Sequence, residues 1–210
     1  MKKKGLLLIL LLWFALAYSQ SKGSGVRATY IYEWPNFSYQ KEYTLLVSNG
    51  ISKYMRRQNK EKIETTQGYK IYFQKDYYDW YYDSKNKKII QQKYLDDDKI
   101  GIAKWNANDF KWILKNQFEE INGYKVQKAI SKAYIGGVAD HPYGDVIAWF
   151  APEIPLDSGP ERYYGLPGLI LKIEFTGRSA TCTLKELFFD KIEKIDIPNK
   201  GKVITKKEAL

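Results

Sequence analysis

The sequence has very few of the residues from which catalytic and metal centres are built. Its 210 residues include one cysteine and one histidine, which excludes disulfide frameworks and the thiolate and multi-histidine zinc sites. We therefore expect no enzyme activity, no cofactor and no metal. Aromatic residues are plentiful instead, with 18 tyrosines, 9 phenylalanines and 6 tryptophans. A hydrophobic content of 44% is enough for a globular core.

The N-terminus predicts a secretory leader. Lys2 to Lys4 precede an apolar run over residues 6–16, and small residues follow at Ala17 and Ser19, which is the layout of a signal peptide. As a helix the apolar run spans about 16 Å, roughly half of a membrane core. We predict cleavage after Ser19, with cleavage after Ala17 as the alternative. No cysteine stands directly after the apolar run, so we expect an exported, soluble protein that is not a lipoprotein.

Removal of the leader would change the charge argument. The formal net charge of +10 falls to +7 without the three leader lysines, and the remaining basic residues are scattered. Nucleic acid is therefore not an expected partner. A basic excess of this size favours anionic surfaces or ligands, so we include peripheral membrane contact among the expectations.

Residues 20–210 predict one all-β domain. Apolar residues alternate with polar ones at period two along most of the mature chain, which is typical of strands with one buried face. Asn49-Gly50 and Asn122-Gly123 predict tight hairpin turns, as does the stretch at 176–178. We expect about ten or eleven antiparallel strands in a strongly curved sheet, an open half-barrel or a sandwich. The predicted strands include 26–32, 43–47, 69–73, 77–82, 88–95, 100–105, 110–114, 126–130, 145–150, 169–175, 181–189 and 192–197. Only 205–210 predicts a helix, with Thr205 as its N-cap.

A proline- and glycine-rich region at 136–168 interrupts the alternation. It holds five of the seven prolines, which predicts an ordered loop beside buried strands. Within it, Pro167 and Gly168 suit the two central positions of a type II turn, after which Leu169, Ile170 and Leu171 would enter the core. This loop could serve the fold alone, or it could form a lid or the mouth of a hydrophobic cleft.

The same region resembles a known protein family. Residues 148–155, 158–160 and 164–170, which end in Gly-Leu-Pro-Gly-Leu-Ile, resemble the GLPGLI family of Bacteroidetes secreted proteins. Residues 122–129 resemble a second family segment, although members often have cysteine where this chain has Val126. The resemblance implies export and no assigned activity. More distantly, the pattern is similar to lipoprotein carriers, whose open half-barrel holds acyl chains.

The polar residues that could carry chemistry have simpler interpretations. His141 lies between Asp140 and Asp145 and is the one group suited to acid–base work near neutral pH, but Asp140-His141-Pro142 also suits a turn. The three aspartates at 96–98 suit a solvated turn. Cys182 lies in an apolar strand and predicts a buried, unreactive thiol.

Three further carboxylates lie within the proline- and glycine-rich region. Glu153, Asp157 and Glu161 could bind Ca²⁺. Their spacing fits no calcium loop, so turn capping, or pairing with Arg162 and nearby lysines, is the simpler interpretation.

The Tyr-rich stretch at 77–82 has aromatic residues on both faces of a predicted strand. We expect one face to pack in the core and the other to form a contact surface.

These expectations lead to two candidate functions. The first is a non-catalytic binder of a hydrophobic ligand or peptide in the periplasm or outside the cell. The candidate ligand-binding residues are Trp149, Leu166, Pro167, Leu169, Leu171, Tyr78 and Trp80. The alternative is an interaction module for an outer-membrane transporter or secretion partner, which would use exposed strand edges and the Tyr-rich stretch. A third hypothesis is a hydrolase centred on His141.

Overall fold

The structure is a computed structural model that describes residues 25–35, 39–59, 61–64, 68, 70–73, 76–95, 99–106, 110–134, 143–176 and 180–209. The described residues form fourteen strands and one short helix. Their bounds are β1 Gly25–Trp34, β2 Tyr39–Ser48, β3 Ile51–Gln58, β4 Glu61–Glu64, β5 Lys70–Phe73, β6 Asp76–Asp83, β7 Lys88–Tyr94, β8 Ile100–Asn106, β9 Ile113–Ile121, β10 Tyr124–Tyr134, β11 Tyr143–Ala151, β12 Leu169–Phe175, β13 Thr181–Asp190, β14 Lys202–Val203 and α1 Lys206–Ala209.

Twelve of these strands form one open sheet. Their order is β14-β8-β7-β6-β3-β2-β1-β13-β12-β11-β10-β9, and β4 pairs with β5 as a separate hairpin. All pairs are antiparallel except the short β14–β8 pair. The two edge strands do not pair with each other, so the sheet is not closed into a barrel. The prediction of an all-β, curved and open sheet is confirmed.

Both predicted Asn-Gly turns are present. Asn49 and Gly50 have φ angles of 52° and 75°, and Asn122 and Gly123 have 51° and 81°. Each pair joins two adjacent antiparallel strands, β2 to β3 and β9 to β10. Two consecutive positive φ angles define the turn that matches the twist of a hairpin.

The strand alternation places one row of side chains on what we call the inner face of the sheet. Opposite residues on neighbouring strands point to the same side, so the pairings Ala28–Leu45, Leu45–Tyr54 and Tyr54–Trp80 trace this face across four strands. These four side chains are buried. The inner face therefore carries the core.

The sequence pattern missed strand β3, as well as the short strands β4 and β14, and it predicted a strand at 192–197. Strand β3 was not predicted because its inner-face positions are Ser52, Tyr54 and Arg56, so a cation occupies a position where the alternation requires an apolar residue. The stretch 192–197 alternates like a strand but has no regular secondary structure. Alternation reports which side chains are half-buried, whereas a strand also needs a free neighbouring edge.

The predicted C-terminal helix is short but correctly capped. Helix α1 begins after Thr205, whose hydroxyl accepts a hydrogen bond from the Glu208 backbone N–H at 3.2 Å, while the Glu208 carboxylate accepts one from the Thr205 backbone N–H at 2.7 Å. This reciprocal pair is a capping box. The Gln91 side chain donates to the Ala209 carbonyl at 2.9 Å, which fixes the helix against β7.

The turn at residues 165–168 differs from the prediction. A type II turn would place Gly168 at positive φ, but the positive φ of 86° belongs to Gly165. The Gly168 backbone N–H donates to the Leu166 carbonyl at 2.8 Å, which closes a three-residue turn around Pro167. Gly168 is needed for space instead, because a Cβ atom there would lie 2.2 Å from the Ala151 carbonyl oxygen.

The two glycines therefore predict different mutational costs. Gly168→Ala forces a clash with backbone and should lower the free energy of unfolding by about 2–3 kcal/mol. Gly165→Ala places its Cβ in open space and should cost only about 1–2 kcal/mol for the left-handed backbone. Urea unfolding of both variants measures the difference. A larger loss for Gly165→Ala would contradict the close-packing role of Gly168.

Candidate functional site

The inner face of the sheet is occupied by residues 152–168, which we call the closing segment. It leaves the end of β11, crosses the inner face and returns into β12. Its large side chains are buried there, most completely those of Ile154, Tyr163, Tyr164 and Leu166. The predicted loop at 136–168 is thus divided, since β11 covers 143–151 and residues 135–142 lie outside the described part of the chain.

The closing segment reaches strands far from its own attachment points. The Tyr164 ring stacks on Tyr82 of β6 with centroids 4.3 Å apart. Asp157 accepts hydrogen bonds from the Tyr82 hydroxyl at 2.9 Å and from Lys87 Nζ at 2.7 Å. Four strands separate β12 from β6 in the sheet, so these contacts require the sheet to curl around the segment.

A second contact places an ion pair inside the curled sheet. The guanidinium of Arg56 on β3 lies 5.4 Å from each of the ring centroids of Tyr32, Tyr43 and Tyr78, which is within cation–π range. Arg56 Nη1 donates to the Tyr78 hydroxyl at 2.8 Å and to Glu161 Oε1 of the closing segment at 3.2 Å. We call Arg56 and these three rings the arginine cage.

Electrostatics keep the cage cation charged. Burial disfavours the guanidinium charge, but the neighbouring Tyr78 and Glu161 outweigh it, so the pKa of Arg56 is raised above its ordinary value. Glu161 has a φ of 53°, a left-handed conformation that is uncommon for a residue other than glycine. The carboxylate that neutralises Arg56 is therefore held on a strained backbone.

The buried phenols and the thiol of the inner face are neutral at physiological pH. Burial raises the pKa of Tyr30, Tyr54 and Tyr164 well above their ordinary values, so these hydroxyls keep their protons. Burial also raises the pKa of Cys182, whose Sγ lies 3.9 Å from the Tyr54 hydroxyl. The prediction of a buried thiol is confirmed, and the thiol is held in its unreactive form.

The candidate ligand-binding residues are only partly brought together. Tyr78 and Trp80 lie on the inner face, and Leu166, Leu169 and Leu171 are buried with them in one core cluster. Trp149 is also buried in this cluster, although it alternates with Ala148 along β11, and its Nε1 donates to Glu174 at 2.9 Å. Pro167 is exposed.

The opposite face of the Tyr-rich strand is covered rather than open. The stretch at 77–82 was expected to present a contact surface there, but Asp79 and Tyr81 on that face are buried. Arg57 and Lys53 form ion pairs with Asp79 at 2.5 and 3.2 Å, and Lys53 lies over the Tyr81 ring. Long cationic side chains cover aromatic surface in this way while their charged ends stay near water.

Sequence reasoning missed the arginine cage because β3 was not recognised. The Asn49-Gly50 turn was the available signal, since a hairpin turn after β2 requires a returning strand at 51–58. Glu161 was considered only as a Ca²⁺ ligand or a partner of Arg162, and its partner is Arg56 from a distant strand. Asp157 does pair with a lysine as predicted, namely Lys87, and Glu153 is exposed.

Several other predicted features fall on residues that the structure does not describe. Residues 1–24, 96–98 and 140–142, which include the leader and His141, lie outside the described residues. The described residues hold no group of three or more metal-ligating side chains. Within the same part of the chain, no helix has the length and apolar character to cross a membrane.

Two surface features complete the description. A groove of about 390 Å³ lies between the sheet and the stretch at 191–196, where Leu46, Lys53 and Tyr81 line it. Ile113, Leu114 and Phe118 of the edge strand β9 are exposed, with 60%, 48% and 49% of their surface accessible. Single exposed apolar residues are ordinary, and these three lie on an edge that pairs with no described strand.

Comparisons with known proteins agree with this fold and give no activity. A family model described as "Protein of unknown function (Porph_ging)" matches residues 140–172. No curated protein matches the chain.

Similar solved structures show where the fold recurs. Two structures of PNGF-II are similar, with TM-scores of 0.58 and 0.53 and 16% identity over 89% of this chain. The match covers 33% and 32% of the PNGF-II chains, so this chain spans about one third of their length. A DUF1329 family protein from Desulfovibrio piger also matches, at 9% identity. The match covers 84% of this chain and 90% of that protein, with a TM-score of 0.27.

The buried tyrosines predict loss of stability at alkaline pH. Burial first of all raises the pKa of Tyr82 to about 12, and burial also raises the pKa of Tyr30, Tyr54 and Tyr164 well above their ordinary value. A phenol whose folded pKa exceeds its unfolded value contributes stability below about pH 10 that is lost as pH rises through the folded pKa. Urea unfolding should therefore give a falling free energy from pH 9 to 12. Tyr54→Phe should reduce the slope, and a flat profile in the parent protein would contradict this account.

Proposed function

We propose that the protein is an exported, non-catalytic binding protein of the cell envelope. We also propose that it belongs to the GLPGLI family, on the intact motif at 165–170. Its binding surface would be the inner face of the open sheet, which the closing segment covers in the absence of ligand. The observation that carries the proposal is the way in which the closing segment is held.

Side-chain contacts hold the closing segment to β3, to β6 and to the turn that follows β6. Within the described part of the chain, these contacts include the Arg56–Glu161 pair, the Asp157 contacts with Tyr82 and Lys87, and the Tyr82–Tyr164 stack. The twelve-stranded ladder includes none of residues 152–168. The segment can therefore leave β3 and β6 without breaking a strand pair, and segments of this kind open at lower cost than the ladder itself.

Departure of the segment would uncover a surface suited to an apolar ligand. The inner face is built from the aromatic and aliphatic residues of β1, β2, β3 and β6, such as Tyr30, Leu45, Tyr54 and Trp80. Concave, mainly apolar surfaces with a few polar groups are the usual form of small-molecule sites. The ligand must replace the contacts that the segment makes, so binding and opening are one linked equilibrium.

Cys182 allows opening to be measured in the native protein. It is the single cysteine, and 3% of its surface is exposed. Asp157→Asn removes the charge that holds Lys87 and weakens the contact with Tyr82. Because the Lys87 side chain is more than half exposed, water screens its charge. We therefore expect the free energy of opening the closing segment to fall by only about 1–2 kcal/mol. The rate of Cys182 reaction with a thiol reagent should rise about 5- to 30-fold.

A matched control separates opening from general destabilisation. Asp196→Asn makes the same chemical change in an exposed pair with Lys194 and should leave the rate unchanged. Dodecanol, used as an apolar probe, should protect Cys182 in Asp157→Asn. If Cys182 reacts at the same rate in both variants and dodecanol gives no protection, the proposal is wrong.

A second candidate function rests on the edge strand β9. Its exposed Ile113, Leu114 and Phe118 lie on an unpaired edge, to which a strand of an envelope partner could add. In the PNGF-II structures a similar fold accounts for about a third of a longer chain, which suits a module that works beside another domain. The register irregularity in β9 between Leu114 and Phe118 limits the edge that can pair.

Site-directed crosslinking tests this second function. A crosslinker on Gln117→Cys, in a Cys182→Ser background, should give one defined adduct in the native envelope, and Phe118→Lys should reduce that adduct at least tenfold. The same crosslinker on Lys200→Cys, an exposed position away from β9, is the control. No adduct, or equal adducts from both positions, would count against an edge partner.

A further inference from the structure

We propose that the inner face binds an amphipathic ligand through a carboxylate that takes the place of Glu161 in the arginine cage. This inference rests on the proposed function, since the closing segment must leave before Glu161 can be replaced. It adds the chemical class of the ligand, a single carboxylate attached to an apolar chain.

Arg56 requires an anion whenever a ligand covers the inner face in place of the closing segment. Arg56 belongs to β3 and stays in the sheet, where the rings of Tyr32, Tyr43 and Tyr78 continue to surround it. A buried cation is costly unless it is paired with an opposite charge. A ligand that covers the inner face buries Arg56 again without Glu161, and a ligand that brings a carboxylate restores the pair.

Glu161 is a replaceable occupant. Its Oε1 lies 3.2 Å from Arg56 Nη1, whereas charge-assisted contacts of this type are usually about 2.7–2.9 Å. Its backbone is also held at a φ of 53°, which costs conformational strain. A free carboxylate carries no such constraint and can approach the guanidinium more closely. The side chains of Arg56 and Glu161 are 16% and 18% exposed, so the pair is reachable from solvent.

The surroundings decide the rest of the ligand. Tyr43 and Leu45 of β2 and Tyr54 of β3 share the inner face with Arg56, and all three are buried. Tyr78 supplies a hydroxyl 2.8 Å from the guanidinium. An anion at the cage would therefore continue into an apolar surface. This combination selects an apolar chain with one charged end over a fully polar anion.

The test compares dodecanoate with dodecanol, two probes that differ in the charged end. Binding of each is measured by native mass spectrometry and calorimetry to the parent protein, Glu161→Gln and Asp157→Asn. Glu161→Gln removes the anion of the closed state, so it should raise the affinity for both probes, and the opened cage should bind dodecanoate at least tenfold more tightly than dodecanol. Asp157→Asn loosens the segment away from the cage and should raise the two affinities to a similar extent.

Variants of the arginine identify the group that recognises the carboxylate. Arg56→Gln in the Asp157→Asn background should abolish the preference for dodecanoate, and Arg56→Lys should retain part of it. If Arg56→Gln does not fold, the relative affinity of Glu161→Gln for dodecanoate and dodecanol decides alone. Equal affinities of the two probes for Glu161→Gln would overturn the carboxylate inference and leave the proposed function standing. No binding of either probe to any variant would overturn the proposed function itself.

Discussion

The packing of the closing segment against both halves of the sheet is the constraint on which the remaining structure depends. Neighbouring strands lie about 4.8 Å apart, so β12 and β6, with four strands between them, are far apart along the sheet. The Tyr82–Tyr164 stack at 4.3 Å is possible because the sheet curls around residues 152–168. A flat sheet of the same strands would leave its inner aromatic face and the segment's apolar residues in water.

Polar contacts inside this packing restrict it to one arrangement. Arg56 and Glu161 come from distant parts of the chain, and each is an expensive group to bury without the other. Their pairing fixes where the closing segment lies along the sheet, while Asp157 with Tyr82 and Lys87 fixes its far end. The same contacts are individually modest, so they suit a segment that is held in place and can still be displaced.

Prediction from the sequence succeeded where the determinants are local. The Asn49-Gly50 and Asn122-Gly123 turns follow from the positive φ angles that these residues tolerate, and the Thr205 cap follows from the spacing to Glu208. Strand β3 was missed because Arg56 occupies an inner-face position, and its compensation by Glu161 and three tyrosine rings comes from elsewhere in the fold. Trp149, Leu169 and Leu171 were grouped as candidate cleft residues, and all three are buried in one core cluster.

The sequence by itself therefore determined an all-β chain, because period-two burial, aromatic content and tight turns act over a few residues. The sequence also indicated an unusual backbone at residues 165–170, but it did not give the reason. Gly168 is required because the end of β11 at Ala151 lies too close for a side chain. Only the tertiary structure decided that the open sheet curls around residues 152–168 and that Arg56 pairs with Glu161. Those contacts join residues about a hundred positions apart, and no local pattern encodes the partner of a buried charge.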